Sequence, residues 1–249
     1  MTLAAVVLVA AVAISVTLVV RNNNNNAAIQ PPTFSTTTAP TTTTTTTTTA
    51  PPLAPAALQG LLLTPDQINN AMGATGMVLT PNWKETATTD SHVADNACSA
   101  VESAADTANY ARSGSIALRN QDLTEPDSHP HIVNQAVLLF RTAQDADAFF
   151  TASAQRWAGC SNRQYTVAKP GEHDEVWTVG PLSNTNGILS TTKTEQPFTV
   201  GTTNYASTCQ RALTVANNAA IDVEACVFSG STGAAVNIAL QIAAQVPTG

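Results

Sequence analysis

Two adjacent asparagines, Asn217 and Asn218, sit midway between two cysteines, Cys209 and Cys226, and this arrangement fixes a strand register. Apolar runs flank the pair, and Asn tolerates the positive φ that a type I′ turn demands, so the spacing predicts a two-residue hairpin. Ala216 then faces Ala219, and counting outward puts Cys209 directly opposite Cys226. The two cysteines fall in a non-hydrogen-bonded pair, where Cα atoms approach to about 4.5 Å. That lies inside the range a disulfide needs. The remaining Cys98 and Cys160 are then left to bridge each other, one of the three connectivities open to four cysteines. The rival reading is a structural zinc site, but such sites usually carry close C-x-x-C pairs and here no two cysteines are nearer than 17 positions.

Oxidised cysteines imply an oxidising compartment, and the amino-terminal end agrees. Thr2 to Val20 form 19 residues without a charge. At 1.5 Å rise per residue such a run can just cross a hydrocarbon layer of roughly 30 Å. No Lys or Arg precedes it, unlike a secretory signal, so a retained transmembrane anchor is expected over 1–21. Arg21 is on the wrong side for an outward-facing C-terminus under the positive-inside rule, so a cytoplasmic segment is expected upstream. No Cys precedes Cys98, which excludes lipidation at a processed amino-terminal Cys.

Residues 22–63 read as a disordered stalk: Asn22 to Asn26, the run Thr41 to Thr49, and scattered prolines. Such a stretch has too little apolar surface to offset the entropy of ordering it. At about 3.1 Å per residue it reaches on the order of 100 Å, enough to cross a cell-wall layer. The Thr run is either a site of O-glycosylation or a plain solvated spacer.

That leaves residues 64–249 for one folded domain. Only Arg21 among the charged residues precedes Asp66, so the domain holds 9 Lys and Arg against 17 Asp and Glu, a balance of -8. Such a surface argues against nucleic acid or anionic lipid as its partner. Aromatics at 5% argue against broad carbohydrate or base stacking platforms. Thr64 as N-cap, Pro65 and Gln67 open a short helix that Gly73 closes. A strand is expected near Met77 to Leu79, a helix around Cys98 to Ala108, and strands at Ser115 to Leu123 and Ile132 to Phe140. A helix follows over Thr142 to Ala158, from the spacing of Ala143, Ala146, Phe149, Phe150, Ser153 and Trp157. Shorter strands are expected at Gln164 to Ala168, Glu175 to Gly180 and Ile188 to Thr194, with Asn186 and Gly187 turning between the last two. Gly233 to Val246 reads as a closing helix. Strands joined by short turns, with helices between and at the ends, imply an α+β fold: an antiparallel sheet flanked by helices.

No complete catalytic motif emerges. A Gly-rich phosphate loop, H-R-D and D-F-G are all missing. Ser190-Thr-Thr-Lys193 matches the S-x-x-K of penicillin-recognising enzymes, but it falls in an expected strand rather than a helix. His129 and His131, with Glu125 and Asp127 nearby, have spacing that suits a metal, yet Pro126 and Pro130 explain them as a polar turn. Glu172, His173, Asp174 and Glu175 read as a solvated loop. The hairpin register places Arg211 opposite Glu224, with Asp222 a diagonal neighbour. A cross-strand ion pair is the simpler reading, one that contributes below about 1 kcal/mol if exposed. The functional one has Arg211, Glu224 and Asp222 lining a cleft in which Arg211 grips a carboxylate or phosphate bidentately. No catalytic residue, metal or cofactor is assigned.

A family resemblance then joins these pieces. Gln135-Ala-Val-Leu-Leu-Phe140, Trp157-Ala-Gly-Cys160, Cys209-Gln-Arg-Ala-Leu213, Asn217-Asn218, Ile221-Asp-Val-Glu-Ala-Cys226 and Gln241-Ile-Ala resemble, in order, the PknH-like extracellular domain of mycobacterial membrane proteins. The resemblance covers nearly all of residues 60–249. It implies an antiparallel sheet with helices, the same two disulfides, a polar ligand-binding cleft, and a role as the outward sensor of a receptor serine/threonine kinase or of a kinase-free membrane protein. The expected function is a noncatalytic, membrane-tethered sensor whose partner is an extracellular small molecule, a cell-wall component or a protein. The alternatives are an extracytoplasmic hydrolase and a structural cell-wall protein.

Overall fold

The computed structural model describes residues 50–247, apart from 82, 87, 91, 127–130, 172, 201, 202, 229 and 231. The expected anchor, the stalk up to residue 49, His129, Asp127 and Glu172 lie outside the described residues. Among the described residues no helix is long and apolar enough to cross a membrane.

Chain order begins with a 3-10 turn, Pro55–Leu58, then helix α1 (Pro65–Met72) and strand β1 (Val78–Leu79). Helices α2 (Asn96–Glu102) and α3 (Thr107–Tyr110), strands β2 (Ala117–Thr124) and β3 (His131–Leu139), and helix α4 (Ala143–Cys160) follow. Next come β4 (Gln164–Val167), β5 (Glu175–Val179), β6 (Ser183–Thr185), β7 (Ile188–Glu195), β8 (Phe198–Val200) and β9 (Thr203–Tyr205). The long hairpin β10 (Thr208–Ala216) and β11 (Ala219–Val227) leads to α5 (Ala234–Ala243). Nine strands form one antiparallel sheet in the order β1-β2-β3-β11-β10-β7-β5-β4, with β6 beside β7, while β8 and β9 form a separate hairpin.

Alternation along the central strands splits the core in two, because successive side chains point to opposite faces. Val133, Val137, Ile221 and Val223 face α1, α5 and Leu58, Leu61 and Leu63, three leucines that composition alone had placed in the stalk. Ala136, Leu138, Leu213 and Ala220 face α2 and α4, whose Phe149 and Trp157 are buried at the spacing the sequence shows. The architecture is the expected α+β: an antiparallel sheet covered by helices on both faces.

Local chemistry explains most element ends. Thr64 accepts from the Gln67 N–H in a capping box, and Gly73 closes α1 at φ 68°. Thr142 and Asp145 form the second capping box at α4. The single helix expected over Cys98 to Ala108 is instead two, because Ser103 is extended, Ala105 has φ 59°, and Asp106 starts afresh as the N-cap of α3. Asn186 and Gly187 join β6 to β7 rather than β5 to β7, since β6 pairs with the first half of β7. At the main hairpin Ala216 does face Ala219. Only Asn217 of the two turn residues has positive φ, 49°, so the turn is not type I′. Asn218 is buried instead, and its amide donates to the carbonyl of Phe140.

Candidate functional site

Both disulfides sit on the α2–α4 side of the sheet. Cys209 and Cys226 are register partners with Cα atoms 4.0 Å apart, and Cys98 joins α2 to the end of α4 through Cys160. Fixing α2 in this way holds the carboxylate of Glu102 and the carbonyl of Val101 over the sheet, where two buried cations meet them.

The first cation is Arg211, fully buried. One Nη donates to the Val101 carbonyl at 2.9 Å, the other pairs with Asp222, and the guanidinium carbon lies 5.1 Å from the Trp157 ring centre. Tyr110 donates its hydroxyl to the second Asp222 oxygen at 2.6 Å. Burial first, and the Asp222 carboxylate second, push the Tyr110 hydroxyl well above its ordinary range. The second cation is Lys193, on the same face of the neighbouring β7. It lies 2.8 Å from Glu224 and 3.1 Å from Glu102, with its ammonium 4.5 Å from the Trp177 ring centre. Burial alone would lower the Lys193 pKa, but the two carboxylates together outweigh it and raise it. One lysine does not neutralise both acids equally. Burial lifts Glu102 too, yet Lys193 and the hydroxyl of Tyr165 bring it below the ordinary carboxylate range. Glu224 lacks the tyrosine, and burial carries it above that range.

A cleft of about 400 Å³ opens beside this cluster, with Glu102 and Ser103 at the end of α2 among its lining. Its floor is the Cys209–Cys226 bridge with Glu224 and Lys193; its walls bring Asp122 from β2, Asn134 from β3 and Glu195 from β7 together with Trp177, Phe198 and Phe228. The Asn134 amide bonds to Asp122, which also accepts from the Thr80 hydroxyl. The Asn134 Oδ1 is buried with no hydrogen-bond partner. Burial raises the pKa of Asp122 and of Glu195, more than the Ser207 contact lowers the latter. A larger recess of about 490 Å³ lies between α3 and α4, lined by Arg112, Arg141 and Arg156 among others, but among the described residues no partnerless buried polar atom faces it. Buried polar groups converge on the first cleft, which makes it the candidate site.

Of the three residues read as a ligand grip, Glu224 lines this cleft, whereas Arg211 and Asp222 lie beneath the helices and hold each other. The pairing differs from the simple cross-strand expectation: Glu224 stands opposite Arg211 in register, but Lys193 arrives from β7 and takes it. Sequence reasoning missed Lys193, Glu195 and Asn134 as site residues. The alternation of β7, with Leu189, Thr191, Lys193 and Glu195 on one face, carries that signal once Leu189 is known to point inward. The same alternation points Ser190 and Lys193 to opposite faces, so the S-x-x-K spacing assembles no nucleophile with its base. His131 pairs with Glu125 at 2.8 Å at the mouth of β3. The one metal-sized grouping of His, Cys, Asp and Glu among the described residues is Cys209, Glu224 and Cys226, whose sulfurs are already bonded to each other.

A model of the PknH-like extracellular domain matches residues 53–245. Serine/threonine-protein kinase PknH of Mycobacterium bovis and that of Mycobacterium tuberculosis are each 31% identical over 198 residues, 78% of this chain. The chain spans about a third of the length of these curated relatives: 31% of the first and 29% of the second. The crystal structure of the extracellular domain of PknH from Mycobacterium tuberculosis superposes with a TM-score of 0.70 at 30% identity, covering 78% of this chain and 97% of that one. With a family model matching most of the chain and a solved extracellular domain superposing on it, this chain belongs to the PknH-like extracellular domain family.

Proposed function

We propose that this chain is a membrane-tethered, extracytoplasmic sensor domain that binds a ligand in the cleft beside the Cys209–Cys226 bridge, does no catalysis itself, and signals with a serine/threonine kinase. The carrying observation is the convergence of buried polar groups on a cleft of about 400 Å³, with an acceptor, Asn134 Oδ1, that the fold leaves without a partner. Buried polar atoms are nearly always hydrogen-bonded, and exceptions mark places where something else completes the set. The kinase relatives support the signalling part of the reading, and the uncharged run Thr2 to Val20 supports the tether. Arg211 and Asp222 act in it as positioning residues, holding α2 over the floor, and Glu224 as a residue of the cleft itself.

Retention of small molecules from a cell-envelope extract tests this. The full chain retains a species detectable by mass spectrometry, and Ser207→Trp, which fills the cleft at a wall residue, loses it while keeping the circular dichroism of the unaltered chain. Equal retention by both proteins would contradict the proposal.

A further inference from the structure

We infer that the cleft takes an organic cation, a ligand carrying a primary ammonium or guanidinium on an apolar stem. The assignment rests on reading the cleft as a ligand site and names what that site recognises. Five carboxylates line it, Glu102, Asp122, Glu175, Glu195 and Glu224, against the single ammonium of Lys193. Lys193 is consumed by Glu102 and Glu224, and Glu175 is paired with Lys169. Neither Asp122 nor Glu195 has an ion-pair partner among the described residues.

A second, independent observation comes from a neutral group. Asn134 is 95% buried by its 5% exposure, its amide is spent on Asp122, and its Oδ1 is a partnerless acceptor at the cleft wall. A ligand that donates N–H bonds satisfies this oxygen, whereas an anion adds one more acceptor to a site that already has too many. Trp177, Phe198 and Phe228 give the cleft an aromatic lining against which the stem can lie, with Trp177 under the Lys193 ammonium and Phe198 packed on the His173 ring. A bare metal ion fits less well. Apart from the disulfide-bonded Cys209 and Cys226 with Glu224, no three metal-ligating side chains converge among the described residues. Burial raises Asp122, Glu195 and Glu224 above the ordinary carboxylate range, and an arriving cation relieves all three.

Calorimetry on the full chain in zwitterionic-lipid nanodiscs, with empty nanodiscs as blank, tests the assignment with three probes of one length: 1,5-diaminopentane, 1,5-pentanediol and glutarate. The diamine is expected to bind at least about ten-fold more tightly than the diol, with no heat from glutarate. Asn134→Leu and Glu195→Gln each weaken the diamine about ten-fold, and Glu195→Gln, which keeps the side chain's size and polarity, does so with the circular dichroism of the unaltered chain. Asp147→Asn, on the exposed side of α4, leaves binding unchanged. Calcium does not displace the diamine. No diamine binding, binding no tighter than the diol, displacement by calcium, or undiminished binding in both cleft variants would each overturn the assignment. Glutarate or diol binding in place of the diamine sinks the cation alone and leaves the cleft reading standing, whereas equal retention of envelope species by Ser207→Trp sinks the cleft reading itself.

Discussion

At the scale of single residues, the fold stakes most on groups it has taken out of water and paired. Asp222 holds both the Arg211 guanidinium and the Tyr110 hydroxyl, so Asp222→Ala leaves a buried cation uncompensated and is expected to destabilise the domain by about 3–5 kcal/mol in urea unfolding. Replacing the pair together, Arg211→Met with Asp222→Leu, is expected to lose less than Asp222→Ala alone. A double variant as unstable as the summed singles would show that the two residues do not act as a pair. Asp122 gives a pH signature. Burial raises its folded pKa, so the acid is neutral in both states at low pH and the fold loses stability as pH rises through that value. Asp122→Asn removes the loss, and its stability relative to the unaltered chain is expected to grow from about pH 4 to about pH 7. A difference that stays flat across that window would contradict the burial account. Part of this was legible in sequence: the hairpin count set Arg211 opposite Glu224, and the structure keeps that register. The partner exchange was not, because Lys193 reaches Glu224 from β7, and nothing local to residues 209–226 says which strand lies alongside.

Elements were legible where their signals are local. The capping box at Thr64 marked one helix start, and the apolar spacing of α4 named its buried face, while the second capping box, at Thr142, went unread. Thr142→Ala is expected to cost about 1 kcal/mol through loss of the cap, measured by thermal unfolding. The three-residue strands β6, β8 and β9 went unread, since a three-residue strand is too short to show a period and is specified by its neighbours. The disulfides differ in what they constrain. Cys98–Cys160 closes a loop of 62 residues and Cys209–Cys226 one of 17, so by loop-closure entropy their removal is expected to cost about 4 and about 3 kcal/mol. Replacing Cys98 and Cys160 by Ala also frees α2, and with it the Glu102 contact to Lys193, so this variant is expected to disturb the cleft as well as the core.

For the whole molecule, the sequence marked out the fold class and the family, because those follow from the order of strands, helices and cysteines, whereas the stalk drawn to residue 63 took in Leu58, Leu61 and Leu63, which the core buries. The cleft did not show. Its walls come from β2, β3, α2, β5, β7, β8 and the end of β11, segments distant in sequence whose meeting depends on the sheet order. Five of the domain's carboxylates are gathered at this one site, while Arg112, Arg141 and Arg156 stand together at the recess between α3 and α4. The domain thus presents two concave surfaces of opposite charge, and the acidic one includes the buried Glu102, Lys193 and Glu195. Hydrogen–deuterium exchange on the full chain, with and without cell-envelope extract, addresses the cleft as a sensing site most directly. New protection confined to Glu102–Ser103, Ile132–Asn134, β7 and the β8–β9 hairpin is the result expected; protection only on the α1–α5 face, or none anywhere, would contradict it.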